Sequence, residues 1–348
     1  WKRTTIYLFS VLIIMKYFIF RILSFAILFT LSIIILTYFG NKLLENSNYY
    51  RLSNTTNYIV FGDSKPECSF NDTLINKFKN MSSSGDSYFY IYLKAKKIIP
   101  NNKQIEAVFI EFSNNSIGIS SDSTIWNDTY LPIRLPTYFP LMEYEDVRVI
   151  YKKNKQGFKK VFAKSILKNN FRNYKYLLFN EKGFKKDDRF GGYLYLLRNK
   201  TDSLVLDLSK RKELIKTSEQ LSSTNLEYLS KLIDYCGQHN VKVFLIRCPL
   251  HEKNSCFQNE QIFKELLFNK FSNIEFLDFS KFPLLNSEFG DFSHLNHKGA
   301  NRFSKIFDSL LQNGILHKMN KQLIIDDLII HEYTSKPFKT NNAMPNIK

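Results

Sequence analysis

The chain has 348 residues, 44% of them hydrophobic, with 32 Phe and a formal net charge of +17. That apolar content excludes a disordered chain. Four cysteines exclude a disulfide-stapled scaffold, and 12 glycines with no short period exclude collagen-like and solenoid architectures.

Residues 22–40 (ILSFAILFTLSIIILTYFG) carry no charge and can cross a hydrocarbon core of about 30 Å as a helix. The earlier apolar stretch, residues 4–15, is shorter and is cut off by Lys16 and Arg21. Burying both charges mid-bilayer would cost roughly 5–7 kcal/mol, so one span is expected. Lys2, Arg3, Lys16 and Arg21 precede it. The positive-inside rule therefore puts residues 1–21 in the cytoplasm and the rest of the chain, after about residue 41, outside. The long segment before the span, with no small-x-small site after it, reads as an uncleaved anchor rather than a signal peptide. A domain outside the membrane does not meet the genome, so nucleic acid drops out as a partner.

Residues 41–57 read as a polar linker. Tyr58 to Phe61 is a short apolar strand that runs into the turn Gly62-Asp63-Ser64. A helix is predicted from about Asp72, a second short strand over 78–81, and a helix over 88–99 that stops at Pro100. Further strands are predicted over 105–112, 241–246 and 274–277, with helices over 221–237, 261–271 and 298–311. Continuous apolar strands alternating with helices specify a three-layer α/β sandwich around a mostly parallel five-stranded sheet. In such sheets the chemistry sits at the carboxyl ends of the strands. Residues 120–216, rich in Tyr, Phe, Lys and Asn, read as a helical cap inserted into a domain spanning 58–316. Residues 317–348 read as an extension with apolar runs over 323–330 and a polar tail from Ser335.

Four places carry candidate chemistry. Ser64 stands where a strand turns toward a helix, which exposes a hydroxyl at the strand end. Asp291-Phe292-Ser293-His294 supplies a base and a carboxylate three residues apart, just ahead of the last helix of the domain. Gly85, at the end of Asn80-Met81-Ser82-Ser83-Ser84-Gly85, can bring a backbone N–H close to a substrate. In Ser113-Asn114-Asn115-Ser116, the amide of Asn115, or of Asn114 beside it, can donate to a developing negative charge.

The order strand–Ser, Gly, strand–Asn, Asp-x-x-His resembles the SGNH/GDSL hydrolase superfamily, over residues 58–116 and 217–312. Gly62-Asp63-Ser64 stands where the family has its nucleophile, and Asn80 to Gly85 keeps its spacing to the oxyanion glycine. The family's Gly-x-Asn-Asp appears as Ser113-Asn114-Asn115-Ser116, which keeps Asn and loses Gly and Asp. Asp291-x-x-His294 is intact, with Leu295 in place of the common Pro.

With the predicted anchor, the chain is similar to membrane-anchored SGNH proteins that modify envelope polymers, such as alginate O-acetylation and teichoic acid D-alanylation proteins. The resemblance implies an SGNH/flavodoxin-like fold and a Ser64–His294–Asp291 catalytic set. It also implies an oxyanion site formed by Ser64, Gly85 and Asn115. The implied activity is an O-acyltransferase or esterase on envelope polysaccharide or another anionic polymer, at the cell membrane, with a membrane acyl-donor partner for the transferase. The alternative is a catalytically silent scaffold or polysaccharide-binding protein on the same fold. No Cys/His cluster has metal spacing and no phosphate-binding glycine loop occurs, so neither metal nor cofactor is expected. Cys248 and Cys256 bracket a loop where a disulfide can form.

Overall fold

A computed structural model describes the backbone of residues 2–179, 190–208 and 220–335. Five parallel strands, β1 (Tyr58–Phe61), β2 (Phe78–Asn80), β3 (Ala107–Glu111), β4 (Lys242–Arg247) and β5 (Glu275–Asp278), form one sheet. Their order is β2-β1-β3-β4-β5, the doubly wound arrangement whose switch point lies between β1 and β3. Val60 pairs with Asn80 on one side and Phe109 on the other. The carboxyl ends of β1, β2 and β3 therefore open at one edge.

Period-two alternation gives each strand two buried faces. Ile59, Phe61, Val108, Ile110 and Leu245 point into one core, with α3 (Tyr88–Ile98) and α9 (Ser223–Gln238). Val60, Phe109, Phe244 and Ile246 point into the other, with α11 (His297–Gln312) and α12 (Lys321–Ser335). The extension after residue 317 is thus part of the domain: Ile325 and Ile329 of α12 are buried.

Two expectations are corrected. The helix predicted from about Asp72 lies earlier, as α2 (Ser64–Ser69). Asp63 starts it, with Oδ1 accepting the Lys65 N–H at 2.8 Å. Asn71 Oδ1 instead accepts the Thr73 N–H and hydroxyl, a side-chain turn that ends the helical run. The stretch 41–57 is also no detached linker. α1 (Lys2–Asn46) runs through its start, and Tyr49 and Tyr50 are buried in the domain. Asn102 secures that stretch, donating to the Tyr50 carbonyl and accepting the Leu52 N–H.

From Leu12 to Asn46, α1 is long and apolar enough to cross a membrane. Lys16 and Arg21 fall within this helix and do not break it. Within 120–216 the described residues form α4 (Ser120–Trp126), α5 (Leu131–Tyr138), α6 (Tyr144–Lys153), α7 (Lys155–Phe179) and α8 (Thr201–Leu208), with a stretch outside any helix over 191–200. α10 (Glu260–Phe271) covers the sheet beside β4 and β5, with Phe263 and Phe271 buried.

Candidate active site

Ser64 opens α2 directly after β1, and His294 sits on the loop before α11. Although 230 positions apart in the chain, Ser64 Oγ and His294 Nε2 lie 2.7 Å from one another. On the far side of the ring, Nδ1 is 2.8 Å from Asp291 Oδ1 and 3.0 Å from Oδ2. The neutral ring that accepts from Ser64 then carries its proton on Nδ1 and donates it to the carboxylate.

The loop is built to hold that carboxylate still. Asp291 Oδ1 also accepts the Ser293 and His294 backbone N–H groups at 2.8 and 3.0 Å. Asn296 caps α11, its Oδ1 accepting from the Lys298 and Gly299 N–H groups. Burial opposes ionisation of Asp291, but the His294 contact, the Ser293 N–H and the Arg198 charge outweigh it and bring its pKa down to about 2.

Arg198 is the residue that sequence reasoning missed. Its guanidinium donates to Asp291 Oδ2 and lies 3.5 Å from His294 Nδ1. It rides on an extended strap, residues 190–200, that crosses the face holding Ser64 and His294. The strap is tied down by Gly192 N–H to Ser82 O, Leu194 N–H to Glu67 O and Lys200 N–H to Gly290 O, at 2.9–3.0 Å. Gly191 has φ +96, and a Cβ there would fall 2.0 Å from the Ser82 carbonyl. Only glycine fits so close to another backbone. The Gly191-Gly192 pair, inside a lysine-rich and aromatic insertion, is the local sign of that approach.

Gly85 and Asn115 both line a cleft of about 180 Å³. Asp63 and Glu111, at the end of β3, also line it, whereas Ser64 and His294 do not. Gly85 adopts φ +72 in a turn closed by Asp86 N–H to Ser83 O. Asn114 faces away from this cleft. It is fully buried, donates to Glu260 Oε2 at 2.9 Å and accepts from Arg247 Nη1 at 3.0 Å. Arg247 also pairs with Asp278, so Asn114 belongs to a clamp joining β4, β5 and α10. Asn115, exposed on the cleft, is the amide in position to meet a ligand.

Two buried charge clusters support the cleft. Asp86 pairs with Lys94 at 2.7 Å and with Arg134 of α5 at 2.6 Å, and accepts from the Tyr138 hydroxyl. The Arg134 guanidinium also donates to the Ser84 carbonyl beside Gly85, so the insertion braces that turn. Under Ser64, Glu111 is buried 3.5 Å from Lys65, which also pairs with Asp63 at 2.9 Å. Burial, with Asp63 nearby, pushes the Glu111 pKa up to about 7 against the pull of Lys65. Cys248 is a buried free thiol rather than half of a bridge; the side chain of Cys256 lies outside the described residues. Among the described residues no group of acidic, His and Cys side chains has the makings of a metal site.

A family model matches residues 97–316, well over half of the chain. The chain belongs to that family, which is uncharacterised. The match spans Asn115, Arg198, Asp291 and His294 and begins after Ser64 and Gly85. No curated protein matches the chain.

Proposed function

We propose that the protein is a membrane-anchored, extracytoplasmic, serine-dependent acyl-ester enzyme of SGNH type, acting on an envelope polysaccharide or related polymer. The observation that carries this reading is the hydrogen-bonded line Ser64 Oγ–His294 Nε2, Nδ1–Asp291. A serine hydroxyl becomes a useful nucleophile only when such a base takes its proton, and the base only when a carboxylate fixes its tautomer.

In this mechanism Ser64 Oγ attacks the acyl carbonyl as His294 Nε2 takes the hydroxyl proton. Asp291, ionised at neutral pH, stabilises the resulting imidazolium. The oxyanion is held by the Ser64 and Gly85 N–H groups and the Asn115 amide. Collapse breaks the bond to the leaving alcohol, which takes the proton from His294 and leaves an acyl-Ser64 ester. Water then releases the acid, or a sugar hydroxyl accepts the acyl group, with His294 as base again. The anchor reading is supported by the length and apolar character of α1, and the outward topology by the basic residues ahead of it.

A silent scaffold is the second reading, favoured by the loss of Gly and Asp around Asn115, where Ser113 and Ser116 stand. Turnover of an activated acetyl ester by the wild type and by Ser64→Ala separates the two readings, since only an enzyme loses activity with the hydroxyl. Following a labelled acetyl group with and without oligosaccharide acceptors then separates transfer from hydrolysis. Free acetate at every acceptor concentration would remove the transferase.

A further inference from the structure

α7 has a face that the domain does not use. Phe158, Phe162 and Tyr176 pack inward, while Leu167, Phe171 and Leu178 recur at helical spacing on the outer side. Phe171 is 71% exposed and Leu178 73%, and with Leu167 they make an apolar strip along the outer side of the helix. Lys164, Lys168 and Arg172 flank this face one turn apart, and the Arg172 charge, with burial and Lys164, pulls the Lys168 pKa down.

The same helix is locked to α1. Asn169 and Asn173 donate to Asn41 Oδ1, Asn170 donates to Thr37 Oγ1, and the Tyr174 hydroxyl donates to the Leu36 carbonyl at 2.9 Å. Gly40 leaves room for the Tyr174 ring, whose Cε2 would stand 3.2 Å from a Cβ there. Leu36 lies about four residues inside the end of the apolar run at Gly40, a depth of about 6 Å at about 1.5 Å per residue. Amphipathic helices that lie in a bilayer surface bury their apolar faces by about 5–10 Å. A bilayer crossed by α1 thus meets α7 at the depth its apolar face suits.

We propose that α7 is a membrane-interface helix whose Leu167, Phe171 and Leu178 face rests among phospholipid acyl chains while Lys164 and Lys168 meet the headgroup phosphates. The inference rests on α1 being a membrane span. It also sets the attitude of the cleft, because α7 packs on α5, whose Arg134 braces the Gly85 turn.

The test uses the full chain in phosphatidylglycerol/phosphatidylcholine vesicles containing tail-brominated lipid, comparing Phe171→Trp with Phe29→Trp in the middle of α1. Emission is measured over that of the unsubstituted chain. Bromolipid should quench the added indole of both variants at least twofold. Quenching in Phe29→Trp but not in Phe171→Trp would overturn the interface helix and leave the anchor standing. Absence of quenching in both would remove the anchor, and this inference with it. Adding Lys164→Glu and Lys168→Glu to Phe171→Trp should cut its quenching by at least half, and an unchanged value would overturn the headgroup contact.

Discussion

Arg198 donates to the same Asp291 carboxylate that holds His294, so a residue of the strap reaches the loop beside Ser64. Its charge is the weakest of the influences that bring the Asp291 pKa down to about 2, after the His294 contact and the Ser293 N–H, so its loss acts mainly on how the carboxylate is held against His294. Arg198→Ala should lower kcat/KM at neutral pH at least tenfold, and Arg198→Lys should recover part of the loss. An unchanged kcat/KM in Arg198→Ala would contradict the assignment.

Asn115 and Asn114, adjacent in sequence, should behave oppositely. Asn115→Ala removes an exposed cleft amide and should lower kcat roughly a hundredfold or more, about 3 kcal/mol of barrier, with Tm unchanged. Asn114→Ala leaves buried Arg247 and Glu260 short of a partner and should lower stability by about 1–3 kcal/mol. Denaturant melts of both variants beside their turnover numbers check the pair.

Glu111 gives stability a pH dependence of definite sign. Its pKa is raised from an ordinary 4.5 to about 7. The folded state therefore holds this proton more tightly than the unfolded state does. That stabilisation is complete below about 4.5 and is lost as pH rises to 7. At one unit per 1.36 kcal/mol the loss is about 3 kcal/mol. Glu111→Gln should flatten this part of the stability curve between pH 5 and 8, as read by urea midpoints at each pH.

Asp86 carries the insertion. Replacing it with Ala leaves Lys94 and Arg134 buried without their shared anion, which should cost about 3–5 kcal/mol. Thermal unfolding of Asp86→Ala measures the loss.

The sheet was legible because parallel strands buried on both faces read as unbroken apolar runs, and all five lie close to their expected bounds. That Ser64 would meet His294 and Asp291 was legible because each stands where a strand or a loop ends. The helix at Ser64–Ser69 was not, since its only strong signal is the Asp63 cap inside the motif itself. Arg198 was hidden for a different reason. Its partner Asp291 is 93 positions away, and nothing in a run of aromatic and basic residues marks one arginine as the one that reaches it. Nor does sequence tell which of two neighbouring asparagines turns inward. That depends on Arg247, whose need for an acceptor is visible only once β4 is in place.

The proposed function requires Ser64 to be a nucleophile activated by His294. Reaction of the full chain with a fluorophosphonate probe, followed by peptide mass spectrometry, should give one adduct, on Ser64, abolished by Ser64→Ala and slowed at least a hundredfold by His294→Ala. A folded chain that shows no Ser64 adduct, and whose acyl-ester turnover survives Ser64→Ala intact, would contradict it.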